Sequence, residues 1–204
     1  MYGITLQGNF LAAEKKISGT PAYGQALGTE ELRALIQDCI AQDVRAQKRL
    51  YEHYSPMLYG IIRRYSYDSS KADEILNEAF FKIFTSLEKF SFKGAFEGWM
   101  RRIVIHAVTD HFRKYVKKDQ EHLVDVEEPI VQVNSDAVGQ LSYKELLKMV
   151  HELPDTQRAV FNLYVFESLS HKEIADHLDL TEGNSRWHLN DARRRLKEKI
   201  KSVQ

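Results

Sequence analysis

The chain has 204 residues, of which 29 are basic and 29 acidic, so its formal net charge is zero. Hydrophobic residues make up 43%, enough for a core, whereas ten glycines and four prolines are too few for collagen-like, low-complexity or turn-rich all-β chains. The single cysteine, Cys39, excludes an intrachain disulfide and a multi-cysteine zinc site and fits a reducing cytoplasm. No apolar run approaches the roughly 18 residues a membrane span needs, and the N-terminus does not read as a signal peptide, so no direct membrane insertion is expected.

The zero charge hides a pattern. Residues 1–42 sum to −1, residues 43–118 to +6 (15 basic, 9 acidic), residues 119–140 to −6, and residues 141–204 to +1. Salt screens charge over about 8–10 Å, so local balance and not the total decides affinity for a polyanion.

Residues 1–28 hold five glycines and Pro21 without a helical stripe and read as a flexible N-terminal arm. From about Glu30 the helical period takes over. One stripe is Leu50, Tyr51, Tyr54, Leu58, Ile61, Ile62 and Tyr65. A second is Ala72, Ile75, Leu76, Ala79, Phe80, Ile83, Phe84 and Leu87. A third is Phe96, Trp99, Met100, Ile103, Val104, Ala107, Val108, Phe112 and Tyr115. Each advances by three or four residues and so gives a helix one apolar face. Ser70 with Asp73 resembles a capping box opening the second helix. Residues 89–94 break the period.

Residues 119–140 contain six acids, Pro129 and no Lys or Arg, and read as a linker between domains at 29–118 and 141–204. Beyond it, Pro154 opens a helix whose core face is Val160, Phe161, Leu163 and Tyr164. Ser170 and Glu173 form a capping box for a short helix over about 171–178, and Thr181 caps a last helix over about 182–201. No useful strand-period run appears. The chain therefore reads as all-α, in two small helical domains.

The last two helices have helix-turn-helix form, in which the second helix enters the major groove. Its outward positions include Arg186, Trp187, Asn190, Arg193 and Arg194, and residues 183–201 carry a local +5. Arg reads guanine and Asn reads adenine bidentately, while the remaining cations neutralise phosphates. A plain αα-hairpin with a solvated basic face has the same spacing. The helix from Phe96 to Lys118 carries a local +4 with aromatics interleaved, a mix suited to single-stranded DNA. Trp99, Phe112 and Tyr115 lie on the apolar stripe and read as core, whereas Phe90 and Phe92 fall in the loop. Glu74, Glu78, His106, Asp110 and His111 lack the Glu-x-x-His pairs of a bundle metal site. No catalytic or nucleotide-binding motif occurs, so neither an enzyme, a metal nor a cofactor is expected.

Two groups of residues resemble the group IV (extracytoplasmic function) sigma factors of bacterial RNA polymerase. The segment Ala72-Asp73-Glu74-Ile75-Leu76-Asn77-Glu78-Ala79-Phe80-Phe81-Lys82-Ile83-Phe84 is similar to the family's region 2.2 pattern A-E-D-x-x-Q-E-x-F-x-x-x-[WF]. Next come Phe96-Glu97-Gly98-Trp99-Met100-Arg101-Arg102-Ile103 and Asp110-His111-Phe112-Arg113-Lys114, similar to regions 2.3–2.4. Leu153-Pro154, Arg158, Val160-Phe161, Leu163, Glu173-Ile174-Ala175, Leu178, Gly183 and Ala192-Arg193 resemble region 4. Against the usual pattern, His106 replaces an Asn, Asp179 replaces the turn Gly, and Asn184-Ser185-Arg186 replaces T-V-K. Trp187 and Asp191 also stand where small or basic residues are usual, which implies an unusual −35 preference.

The resemblance implies that Asp73, Asn77, Glu78 and Lys82 bind core RNA polymerase at the clamp helices of its β′ subunit. It implies −10 DNA contacts by Lys89, Phe90, Phe92, Lys93, Arg101, His106, Asp110, Arg113, Lys114 and Lys117, and a flipped non-template base. It implies −35 contacts by Ser170, Lys172, Arg186, Trp187, Asn190, Arg193 and Arg194, with the C-terminal domain on the β flap. The acidic linker would thread toward the active-site and RNA-exit channel, and an anti-sigma factor is an implied partner. The alternative is a stand-alone helix-turn-helix regulator, which would need a dimer interface for which no spare apolar stripe is found. A helical module without a DNA role is a third reading, against which the two basic helices argue.

Overall fold

The structure is a computed structural model that describes residues 27–120 and 143–202, with the side chains of 114–120 and 143 left aside. The expected arm at 1–28 and the acidic linker thus lie almost wholly outside the described residues. The described residues form eight α-helices and no strand. The chain divides into two compact units, the division falling between Val108 and Thr109.

In the first unit, α1 (Thr29–Ile40) buries Leu35, Ile36 and Cys39. It ends where Gln42 takes a left-handed conformation, φ 64°. Asp43 then caps α2 (Val44–Tyr65), its carboxylate accepting the Ala46 N–H at 2.8 Å. Apart from the half-buried Tyr51, the expected stripe on α2 is buried: Leu50, Leu58, Ile62 and Tyr65 are wholly covered. Each such aliphatic side chain contributes on the order of 1.5–3 kcal/mol.

α3 (Ser69–Ser86) packs on α2 through Ile75, Leu76, Ala79, Phe80 and Ile83. Its cap is Asp68, not the expected Ser70. The Asp68 carboxylate accepts the N–H groups of Ser70 at 2.9 Å and Lys71 at 3.4 Å. Ser70 is already inside the first turn, and a carboxylate one step ahead of the helix suits its positive end. A single 3₁₀ turn, Leu87–Lys89, closes α3, and the loop 90–95 leads into α4 (Phe96–Gln120). The α1 helix packs on both α2 and this 3₁₀ turn. Phe96 meets Tyr54 of α2 edge-on at 5.5 Å, seating the start of α4.

In the second unit, which takes in α4 from Thr109 onward, α5 (Tyr143–His151) is followed by α6 (Asp155–Val165), α7 (His171–Leu178) and α8 (Glu182–Ser202). Arg158 pairs with Asp155 and donates to the carbonyls of Leu153 at 2.9 Å and His151 at 3.1 Å, pinning the α5–α6 connection. α8 packs on α6 and α7 through Leu189, Ala192, Leu196 and Ile200. The capping box on α7 is present, with Glu173 N–H to Ser170 Oγ at 3.3 Å and Ser170 N–H to Glu173 Oε2 at 2.8 Å. Asp179 makes the turn into α8 at φ 59° and ψ 46°, the left-handed conformation for which a glycine is the easier residue.

Candidate nucleic-acid interface

α7 and α8 meet across the three-residue turn 179–181 with the proportions of a helix-turn-helix. Thr181 Oγ1 accepts the Asn184 N–H at 3.1 Å and fixes the start of α8. Arg186 projects from the first turns, exposed, bridged to Glu182 at 2.7 Å. An exposed bridge of this kind is worth about 0–1 kcal/mol and yields readily to a phosphate or a base. Trp187 and Asn190 are half-buried on the same stretch, and Lys172 is exposed on α7. Ser170 spends its hydroxyl in the capping box.

Arg193 departs from the expectation. It is buried, its guanidinium stacked over the Tyr164 ring at 5.3 Å, and burial lowers its pKa from the ordinary value. It is therefore an internal support of α8 on α6, and not a side chain presented to DNA. His171 belongs to the same small cluster, stacked on Tyr164 at 5.0 Å with its Nδ1 3.0 Å from Ser185 Oγ. Burial first, then the charges of Arg186 and Arg193, lower His171 below its usual value, which favours the neutral ring.

Asp191, read in the sequence as a departure from the usual pattern and not as a contact residue, orients Arg194. Asp191 is buried in α8 and accepts from Arg194 at 2.5 Å, Arg195 at 2.7 Å and Gln157 of α6 at 3.3 Å. Burial acts to raise its pKa, but the hydrogen bonds from Arg195 and Arg194 outweigh this and hold the carboxyl below its usual range. Arg194 also reaches Glu198 at 3.1 Å, so its fork is oriented along the helix. An acid inside a basic helix was the signal in the sequence.

The second basic surface belongs to the loop 90–95 and α4. Lys89 and Lys93 are exposed, Arg101 is half-buried, and His106 and Asp110 are exposed along α4. Arg113 is half-buried and bridges Asp110 at 3.3 Å. Lys114 and Lys117 lie outside the residues whose side chains are described. Phe90 is a second departure: it is buried, 5.0 Å from Phe96 and 5.5 Å from Trp99. It is a plug of the loop and cannot offer a face to a base. Phe92 is half-buried beside it.

A third surface is the polar face of α3. Asp73, Asn77 and Glu78 are exposed, and Lys82 bridges Glu78 at 2.7 Å. Phe81, 70% exposed, stands in the middle of this face. The motif contained it, but its helical position beside apolar neighbours hid that it faces outward. Among the described residues no group of three or more His, Cys, Asp or Glu side chains could hold a metal ion. No described helix is long and apolar enough to cross a membrane.

Comparison with known proteins decides the family. The family model "Sigma-70 region 2" matches residues 50–118 and "Sigma-70, region 4" matches residues 143–196, in that order and together over more than half of the chain. The chain belongs to the sigma-70 family. Within it, the similarity is to extracytoplasmic function factors over nearly their whole length. The "ECF RNA polymerase sigma-E factor" of Haemophilus influenzae is 24% identical over 186 residues, 84% of this chain and 96% of that protein. The "RNA polymerase sigma-H factor" of Pseudomonas aeruginosa is 24% identical, covering 87% of this chain and 97% of its own. SigM of Bacillus subtilis is 28% identical over 72% of this chain and 91% of its own. Among solved structures, the sigma factor RpoE of Bartonella quintana in complex with the anti-sigma factor NepR shares 20% identity, with 79% of this chain and 99% of that chain covered and a TM-score of 0.46. In this sigma factor, α2 to α4 carry the region 2 match from residue 50 onward and α5 to α8 the region 4 match, while α1 precedes both.

Proposed function

We propose that the chain is a sigma subunit that binds core RNA polymerase, directs it to promoters and opens the −10 element to start transcription. The observation that carries this is the ordered pair of family regions, each holding a basic helix, in one chain. The chain does no bond chemistry. Its binding energy is used for docking and strand opening, and the polymerase makes the RNA.

The residue roles divide among the three surfaces. The α3 face with Asp73, Asn77, Glu78 and Lys82 docks on the β′ clamp helices. Lys89, Phe92, Lys93, Arg101, His106, Asp110, Arg113, Lys114 and Lys117 serve the −10 element, with Phe90 as the support beneath. Lys172, Arg186, Trp187, Asn190 and Arg194 serve the −35 element, with Ser170 as the cap that sets α7 and Arg193 as the support of α8, and the C-terminal domain rests on the β flap. The acidic 119–140 segment suits a channel built for RNA. An anti-sigma factor that masks the DNA-facing surfaces and a cytoplasmic location complete the reading.

The test is co-elution of the purified chain with bacterial core RNA polymerase, and then run-off transcription on fragmented genomic DNA. A one-to-one complex with transcripts starting at discrete sites is expected. A folded chain that fails to co-elute, yet binds specific DNA by itself, overturns the reading in favour of the stand-alone regulator.

A further inference from the structure

The loop before α4 turns at an unexpected residue. Phe92 has φ 56°, in the left-handed region, while Gly94 two residues later is not the residue that takes a positive φ. A Cβ added at Gly94 would meet nothing within 4 Å. A bulky side chain is held left-handed only where its surroundings over-determine it. Two contacts do so here. The Arg33 guanidinium lies over the Phe92 ring, 4.4 Å from its centroid. The buried Phe90 ring sits 4.8 Å away, tilted by 58°, and is itself fixed by Phe96 and Trp99. Arg33 comes from α1, which is anchored by Leu35, Ile36 and Cys39 and packs on the 3₁₀ turn at the base of this loop. Lys89 and Lys93 are exposed on either side of Phe92 along the chain.

We infer that Arg33 and Phe92 form one guanidinium–aromatic platform for an unpaired base of the promoter −10 strand, with Arg33 as the positioning residue. A ring that is half-exposed, pinned before DNA arrives and flanked by cations has the chemistry of a single-strand stacking site. Fixing it in advance removes the ordering cost from the binding step. Arg33 suits the task because its planar fork stacks on the ring and still presents N–H donors to a neighbouring phosphate. It lies in α1, before the region 2 match begins, so no family motif names it. The inference rests on the reading of loop 90–95 as a −10 contact.

The test uses holoenzyme assembled from core polymerase and the full chain, on a promoter recovered by run-off transcription. 2-Aminopurine is placed at successive non-template −10 positions to report opening. Arg33→Ala should lower the equilibrium opening signal roughly tenfold at one position, in keeping with the stacking energy of a single base, while core binding stays unchanged. Arg33→Lys keeps a cation near the ring but loses the planar fork, so it should recover only part of the signal. Phe92→Gly relieves the backbone, so it should melt no lower than wild type yet lose opening to the same degree. The double variant Arg33→Ala with Phe92→Gly should open no worse than Phe92→Gly alone. Wild-type opening by Arg33→Ala or by Phe92→Gly overturns the platform, and so do losses that multiply in the double variant. Wild-type holoenzyme that binds core but opens no promoter overturns the sigma-factor reading itself, and the platform with it.

Discussion

Asp179 turns the chain between α7 and α8 with φ 59°, and its short side chain lessens only part of the penalty that an L-residue meets there. Asp179→Gly removes the left-handed penalty of an L-residue at the cost of glycine's greater chain entropy and is expected to raise stability by about 0.5–1 kcal/mol, a gain of a few degrees in Tm, without loss of −35 binding. Thermal denaturation of the full chain measures it. Cys39 is a second residue whose behaviour is set by its surroundings. Burial, reinforced by the charges of Asp38 and Asp43, pushes its thiol up to about 11. The native chain should leave Ellman's reagent unreacted at pH 8, and one thiol should titrate once urea unfolds it. A fast reaction of the folded chain would mean that α1 opens readily. Single residues are also where sequence reasoning errs. Phe90 and Arg193 have the right chemistry for DNA, but chemistry does not say whether a ring or a guanidinium has been claimed by a neighbour. Phe96 and Trp99 claim the first and Tyr164 the second.

At the scale of the element, the short range of the helical signals explains which are legible. The α7 capping box and the Thr181 cap lie within three residues of their partners, and both are readable in the sequence and present in the structure. Ser170→Ala should cost about 1 kcal/mol, and because α7 sets the approach of α8, the same variant should weaken −35 binding at elevated temperature first. Denaturant melts with DNA binding at two temperatures check this; equal losses at both temperatures would assign the Ser170 hydroxyl a direct DNA contact instead. The cap of α3 is harder to place because Asp68, Ser69 and Ser70 are all able caps, and the choice among them depends on where the first turn closes. The break between α1 and α2 carries no strong sequence signal. It contains no glycine or proline and is made by Gln42 in a left-handed conformation, with Asp43 capping α2 directly after it.

For the whole molecule, the division into two units predicts separable losses. Asp73→Arg with Asn77→Ala should abolish co-elution with core polymerase while circular dichroism stays native. Arg186→Ala should leave co-elution intact and weaken promoters that rely on a −35 element by about 1–3 kcal/mol. Equal loss at every promoter from both variants would refute the assignment of one task to each unit. The sequence by itself determined the all-α class, the stripes that become the cores, and the helix-turn-helix down to its capping residues. It did so because period, caps and charge runs are local properties written into neighbouring residues. The same locality carried the two family motifs. Tertiary structure alone decided which of the chemically suitable side chains remain available. It buried Phe90 and Arg193, set Asp191 beneath Arg194 and Arg195, exposed Phe81, and brought Arg33 over Phe92 from a helix far earlier in the chain. Burial depends on which segments pack from elsewhere in the chain, and no local pattern records that.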